Sequence, residues 1–143
     1  MALTRYLDTS VVAALFVTDD AFTERATRFV ATDEAVLVVS DFGAAEFASV
    51  IARLARSDRL AREIATSLFA DFDVWLGRAV QRVEAMPADI ARAAAFIRRL
   101  DLNLRTPDAL HIAIADRLGV ALATFDMRMA ANAAALGVAT ATL

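Results

Sequence analysis

No two strand-like apolar runs in this chain lie close enough in sequence to be joined by a hairpin. Leu3 to Leu7, "AVLVVS" (35–40), "AVQRVEA" (79–85), "VALATF" (120–125) and "VATATL" (138–143) are separated by stretches long enough to form helices. Strands connected in this way run parallel, and the intervening helices cover both faces of the sheet. The β-branched run AVLVVS suits a strand buried on both sides, whereas the alternation in AVQRVEA suits an edge. The pattern predicts an α/β fold with a mostly parallel sheet between helices.

The helical stretches carry apolar stripes with recognisable boundaries. Phe22, Ala26, Phe29 and Val30 share one face, as do Phe47, Val50, Ile51 and Leu54. Ser40 and Asp41 are start signals for the second of these helices, Ser57 and Asp58 for the next, and Asp19 and Asp20 for an earlier one. The stripe Leu60, Ile64, Leu68, Phe72 and Trp75 ends near Gly77. Met86-Pro87 opens a helix with Ile90, Ala94 and Ile97 directed inward. In "RTPDALHIAIADRLG", Thr106 is the expected cap, Pro107 occupies the first turn, and Gly119 lies past the end. No linker or repeat divides residues 1–143, so one domain is expected.

Composition removes several chemistries. The absence of Cys excludes disulfides, thiolate zinc sites and a cysteine nucleophile. A single histidine, His111, leaves little material for a multi-histidine metal centre. All 15 basic residues are arginine, which excludes Schiff-base and P-loop lysine chemistry. A net charge of −3 argues against a broadly basic nucleic-acid-coating surface, though not against local arginines around an acidic site. The longest apolar run, Val11 to Val17, is too short to span a membrane, so a soluble, cytoplasmic protein is expected.

Four acids are directed to one edge of the sheet. In a parallel sheet, strand C-termini and helix N-termini share an edge, and ligands bind where the strand order reverses. Asp8 follows the first strand, Asp126 follows VALATF, and Asp108 lies in the first turn after Thr106-Pro107. Glu46 is about five residues into its helix, roughly 7–8 Å below the rim. Its length and the tilt of side chains toward the helix N-terminus recover much of that depth. Taken singly, each acid is explained as a cap, a first-turn acid or a solvated helix residue. Convergence changes the reading, because a like-charge pair at 4 Å costs about 4 kcal/mol at an effective dielectric of 20. A divalent cation removes that cost, and an all-oxygen donor set suits Mg²⁺ or Mn²⁺ better than zinc.

The ordered set "YLDTS", "AAEFASVIARL", "RTPDALHIAIADRLG" and "LATFDMRM" resembles the PIN domain, and within it the VapC-type toxin ribonucleases of bacterial toxin–antitoxin pairs. The resemblance covers nearly the whole chain. It implies a three-layer fold with a five-stranded, mostly parallel sheet, a homodimer, and a cognate VapB-like antitoxin. It also implies a Mg²⁺-dependent endoribonuclease, with Mn²⁺ as an alternative ion, that cleaves RNA phosphodiesters with a metal-held water. By matching position, Asp8, Glu46, Asp108 and Asp126 are the catalytic, metal-holding acids. Ser10 and Thr124 support them, and Thr9 is a further hydroxyl beside them. Arg105 pairs at the surface or steadies an RNA phosphate, and His111, in a strongly apolar helix, reads as a packed or interface histidine. The alternatives are a PIN-like module that holds RNA or protein without cutting, and a phosphohydrolase acting on small phosphate esters.

Overall fold

A computed structural model describes residues 3–18, 21–32 and 34–143. Asp19 and Asp20, expected at a helix start, lie outside the described residues. The elements are β1 (Leu3–Leu7), α1 (Thr9–Phe16), α2 (Thr23–Val30), β2 (Ala35–Ser40), α3 (Asp41–Arg56), α4 (Arg62–Arg78), β3 (Gln81–Val83), α5 (Pro87–Ile97), α6 (Thr106–Leu118), β4 (Ala121–Ala123) and α7 (Met127–Ala135). Among the described residues the strands form one sheet, in the order β3-β2-β1-β4. Every pairing is parallel. No described helix is long and apolar enough to cross a membrane.

Alternation along the strands divides the core into two layers. Tyr6, Val38 and Leu122 face α5, α6 and α7, where Phe96, Ile112, Ile114 and Met129 are buried. Leu7, Leu37, Val39 and Ala123 face α1 to α4, where Val11, Phe47, Ile51 and Phe72 are buried. Helix α6 is buried continuously from Ala109 to Ala115, which accounts for the weak amphipathicity of that sequence. Phe72 is buried, and Phe69, Trp75 and Leu76 pack against the same layer as ordinary core.

Strand order sets the location of the candidate site. The chain moves outward from β1 through β2 to β3, then crosses the other face to place β4 on the far side of β1. Right-handed crossovers in opposite directions put helices on opposite faces, and the order reverses between β1 and β4. Asp8 follows β1 at that point, and Thr124 follows β4.

The structure departs from the sequence reading in four places. The final segment, expected as a fifth strand, contributes a single parallel bridge between Leu122 and Thr140, flanked by two backbone hydrogen bonds. Ser57 and Asp58 end α3 and do not start α4. Ser57 donates to Leu54 O at 3.2 Å, Asp58 has φ 56°, and α4 begins at Arg62. Helix α6 begins at Thr106 itself, after Arg105, which makes no side-chain cap bond.

Helix α5 is rotated relative to expectation. Asp89, Ala93 and Phe96 are buried, while Ile90 is 62% exposed and Ala94 also faces out. The reason is a polar anchor: Arg117 of α6 donates to both Asp89 oxygens, at 2.7 and 2.9 Å, and Met86 N donates to Oδ2 at 2.8 Å. A charge held in this way outweighs an apolar side chain in choosing which face turns inward.

Candidate active site

Asp8 is the buried floor of the site. It lies between β1 and α1 as the N-cap of that helix and is 1% exposed. Val11 N donates to its Oδ1 at 3.2 Å. Ser10 Oγ donates to the same oxygen at 2.6 Å, and Thr124 Oγ1 donates to Oδ2 at 2.5 Å. The two hydroxyls are themselves fixed, since Phe125 N donates to Ser10 Oγ and Asp126 N donates to Thr124 Oγ1. Burial pushes the Asp8 carboxyl above its usual range, and the bonds from Ser10 and Thr124 offset only part of that rise. No guanidinium pairs with Asp8 among the described residues.

Glu46 projects from α3 and is partly exposed, as its angular position beside the apolar stripe implies. Thr9 Oγ1 donates to its Oε1 at 2.6 Å, and His111 Nε2 makes a short hydrogen bond to the same oxygen. Burial opposes ionisation of Glu46, but the bonds from His111 and Thr9 outweigh it and hold the carboxyl below its usual range.

Asp108 sits in the first turn of α6, half-buried, with Arg105 Nε 3.6 Å from Oδ2. Burial raises its carboxyl, Arg105 counteracts this, and the charges of Asp126 and Glu46 push it up further. Asp126 caps α7, accepting from Arg128 N at 2.9 Å and Met129 N at 3.1 Å. Direct hydrogen bonds thus join Asp8, Ser10, Thr124 and the Asp126 backbone in one group, and Thr9, Glu46 and His111 in another. Asp108 joins them through its electrostatic coupling to Asp126 and Glu46.

The donor set is carboxylate and hydroxyl oxygen, which suits a hard divalent cation, and the charges of Asp126 and Glu46 add to the rise that burial causes at Asp108. As they stand, Asp8 and Glu46 direct oxygens to hydroxyl and imidazole partners. Among the described residues no three His, Asp or Glu side chains are grouped to hold one ion. A cation would therefore have to recruit oxygens that these bonds do not use, or displace some of the bonds.

The neighbouring acids resolve cleanly. Asp41 accepts from Phe42 N and Ala85 N and ties the segment after β3 to α3. Asp116 faces Arg92 at 3.4 Å, away from the group. Sequence reasoning did not anticipate that His111 contacts Glu46, nor that Tyr6 and Ser40 lie behind it. The available signal was a tyrosine at the buried end of the first strand, together with the chain's single histidine one turn beyond Asp108.

No curated protein sequence matches the chain significantly. Among solved structures it is similar to Mycobacterium tuberculosis VapC20, described as a Sarcin-Ricin loop cleaving toxin. That likeness has a TM-score of 0.75 and 21% identity over 97% of this chain and 99% of the other. FitAcB from Neisseria gonorrhoeae gives a TM-score of 0.64 and 17% identity, covering 96% of each chain. VapBC-1 from nontypeable Haemophilus influenzae gives 0.62 and 12%, covering 97% of each. At such identities the likeness is one of fold. The sequence model of the PIN domain matches residues 5–135, a span that contains β1 to α7 almost entire and all four acids. The chain belongs to the PIN-domain family.

Proposed function

We propose that this chain is a metal-dependent endoribonuclease, the toxin of a VapBC-type toxin–antitoxin pair, which hydrolyses phosphodiester bonds of RNA. The observation that carries the proposal is Asp8, a fully buried carboxylate with hydroxyl partners and no guanidinium partner among the described residues. It lies at the reversal of strand order, where this fold class places ligands.

In this reading Asp8, Glu46, Asp108 and Asp126 hold Mg²⁺ or Mn²⁺. The bound ion supplies activation of the attacking water and stabilisation of the leaving oxygen. Ser10 and Thr124 fix the Asp8 carboxylate from both oxygens, while Thr9 and His111 fix Glu46. Arg105, with its side chain 75% exposed beside Asp108, is available to an RNA phosphate. The likeness of the fold to VapC20, a Sarcin-Ricin loop cleaving toxin, and to a VapBC-1 assembly supports the substrate class and an antitoxin partner. A groove of about 660 Å³ between α1, α3 and α4 offers that partner an apolar seat, lined by Phe16, Val50, Leu54, Leu60 and Ile64 with Arg59. A homodimer and a cytoplasmic location belong to the same reading.

Cleavage of single-stranded RNA with added Mg²⁺ or Mn²⁺, against an EDTA control, tests the proposal. Wild type is expected to cut, and Asp8→Asn is expected to lose at least about a thousandfold in kcat/KM, or 4 kcal/mol of transition-state stabilisation. Equal rates for the two proteins would leave a PIN-like module that binds RNA without cutting.

A further inference from the structure

His111 is 2% exposed and sits at the centre of a buried chain of hydrogen bonds. Gly43 N donates to Ser40 Oγ at 2.9 Å, Ser40 Oγ is 2.8 Å from Tyr6 Oη, and Tyr6 Oη is 2.7 Å from His111 Nδ1. At the other side of the ring, Nε2 meets Glu46 Oε1.

With the imidazole neutral, one set of bond directions satisfies every atom. A carboxylate only accepts, so the bond to Glu46 requires a proton on Nε2. Burial pushes the Tyr6 phenol well above its ordinary range, so its hydroxyl stays protonated and can donate to Nδ1. Ser40, whose oxygen already accepts from Gly43, donates to Tyr6 in turn. The ring is also confined: Tyr6 and Phe42 lie with ring centroids at 5.6 and 5.1 Å. A Cβ on residue 43 would lie 3.3 Å from Ser40 Oγ and 3.6 Å from His111 Cε1, so glycine there lets α3 approach both groups closely.

We propose that His111 is a positioning residue. The Ser40–Tyr6–His111 chain fixes the imidazole with its proton on Nε2, and that proton holds Glu46 by Oε1, leaving Oε2 as the donor oxygen for a cation. Thr9 reinforces the hold by donating to the same oxygen. The inference rests on the metal-dependent reading of the four acids and adds to it a residue that does not itself hold the ion. Outer partners that orient a metal-holding side chain typically contribute a factor of about 10–100 in metal affinity.

Two polar substitutions separate positioning from packing. In His111→Gln the terminal amide nitrogen takes the place of Nε2, and in His111→Asn it takes the place of Nδ1. Mn²⁺ affinity of the full chain, measured by calorimetry, is expected to remain within about threefold of wild type for Gln and to fall about 10–100-fold for Asn. The kcat for RNA cleavage follows the affinity, and KM for RNA stays constant. Equal Mn²⁺ affinity in the two variants overturns the positioning role while leaving the nuclease reading intact. A wild-type chain that neither binds Mn²⁺ nor cuts RNA removes both. Independently of either variant's folding, His111 is the chain's only histidine, so one imidazole contributes to the ¹⁵N spectrum of the metal-free protein. A proton on Nε2 is expected, and a bare Nε2 overturns the inference.

Discussion

Asp8 and Asp89 are equally buried, each 1% exposed, yet their surroundings are opposite in kind. Asp89 has its own cation, since Arg117 grips both oxygens and Met86 N adds a third bond. Burial raises its carboxyl, but Arg117 and Met86 outweigh burial and hold it below its usual range. Asp8 has two hydroxyls and a backbone N–H, and its carboxyl stands above its usual range. A buried acid that carries its counter-charge within the chain is complete as a structural device. One that is merely hydrogen-bonded has been aligned without a counter-charge from the chain, which is what the proposed cation site asks of Asp8.

The comparison can be broken most forcefully at Asp89. Asp89→Ala leaves the partly exposed Arg117 guanidinium and Met86 N without their partner, and a loss of about 2 kcal/mol is expected in urea unfolding. RNA cleavage by the folded fraction should be unchanged. A loss under 1 kcal/mol would mean that the pair is not an anchor. Adding Mn²⁺ sharpens the contrast from the other side. At a hundredfold excess over its Kd, the ion should stabilise the wild type by about 2.7 kcal/mol in thermal unfolding, and Asp8→Asn should show far less.

In metal-free protein the smaller effects have opposite signs. Asp8→Asn removes a charge that burial disfavours, so unfolding at neutral pH should shift upward by about 1 kcal/mol, or a few degrees. The pH profile follows the same logic. A carboxyl raised in the folded state favours the protonated form, so the contribution of Asp8 grows as pH falls through its folded value and disappears as pH rises. A carboxyl lowered in the folded state stabilises above its unfolded value of about 4 and loses that contribution as pH falls. Between neutral and mildly acidic pH, wild type should therefore gain stability relative to Asp8→Asn, and Asp89→Ala should not alter that gain. Parallel pH profiles for wild type and Asp8→Asn would contradict the raised carboxyl.

Period and punctuation made most of the fold legible, because apolar alternation and helix stripes are local properties of the chain. The places where α5 and α4 departed from expectation are non-local. Nothing adjacent to Ile90 shows that Asp89 will meet Arg117 of the next helix, so the apolar stripe alone turns Ile90 inward. Ser57 and Asp58 are equally good as stop and start signals, and the Ser57 bond to Leu54 O with the left-handed backbone of Asp58 makes them a stop. The last segment has the composition of a strand but pairs with Leu122 at a single bridge. At the candidate site, the placement of the four acids at one sheet edge is legible from order and spacing, whereas Ser10 and Thr124, which bond to Asp8, stand out only through the resemblance to the PIN domain. The Tyr6–His111 contact was not, since residues so distant in sequence meet only when β1 lies beneath α6.

The position of β4 beside β1 has a temporal consequence during synthesis. Thr124, which secures one oxygen of Asp8, and Asp126 both follow a strand that emerges after β1, β2, β3 and six helices have already been made. A ribosome-attached chain that has not yet extended past Ala121 has no partner for that flank of β1 and no hydroxyl for Oδ2. Under the proposed function, incomplete copies of the protein therefore lack two residues of the site, by order of synthesis alone.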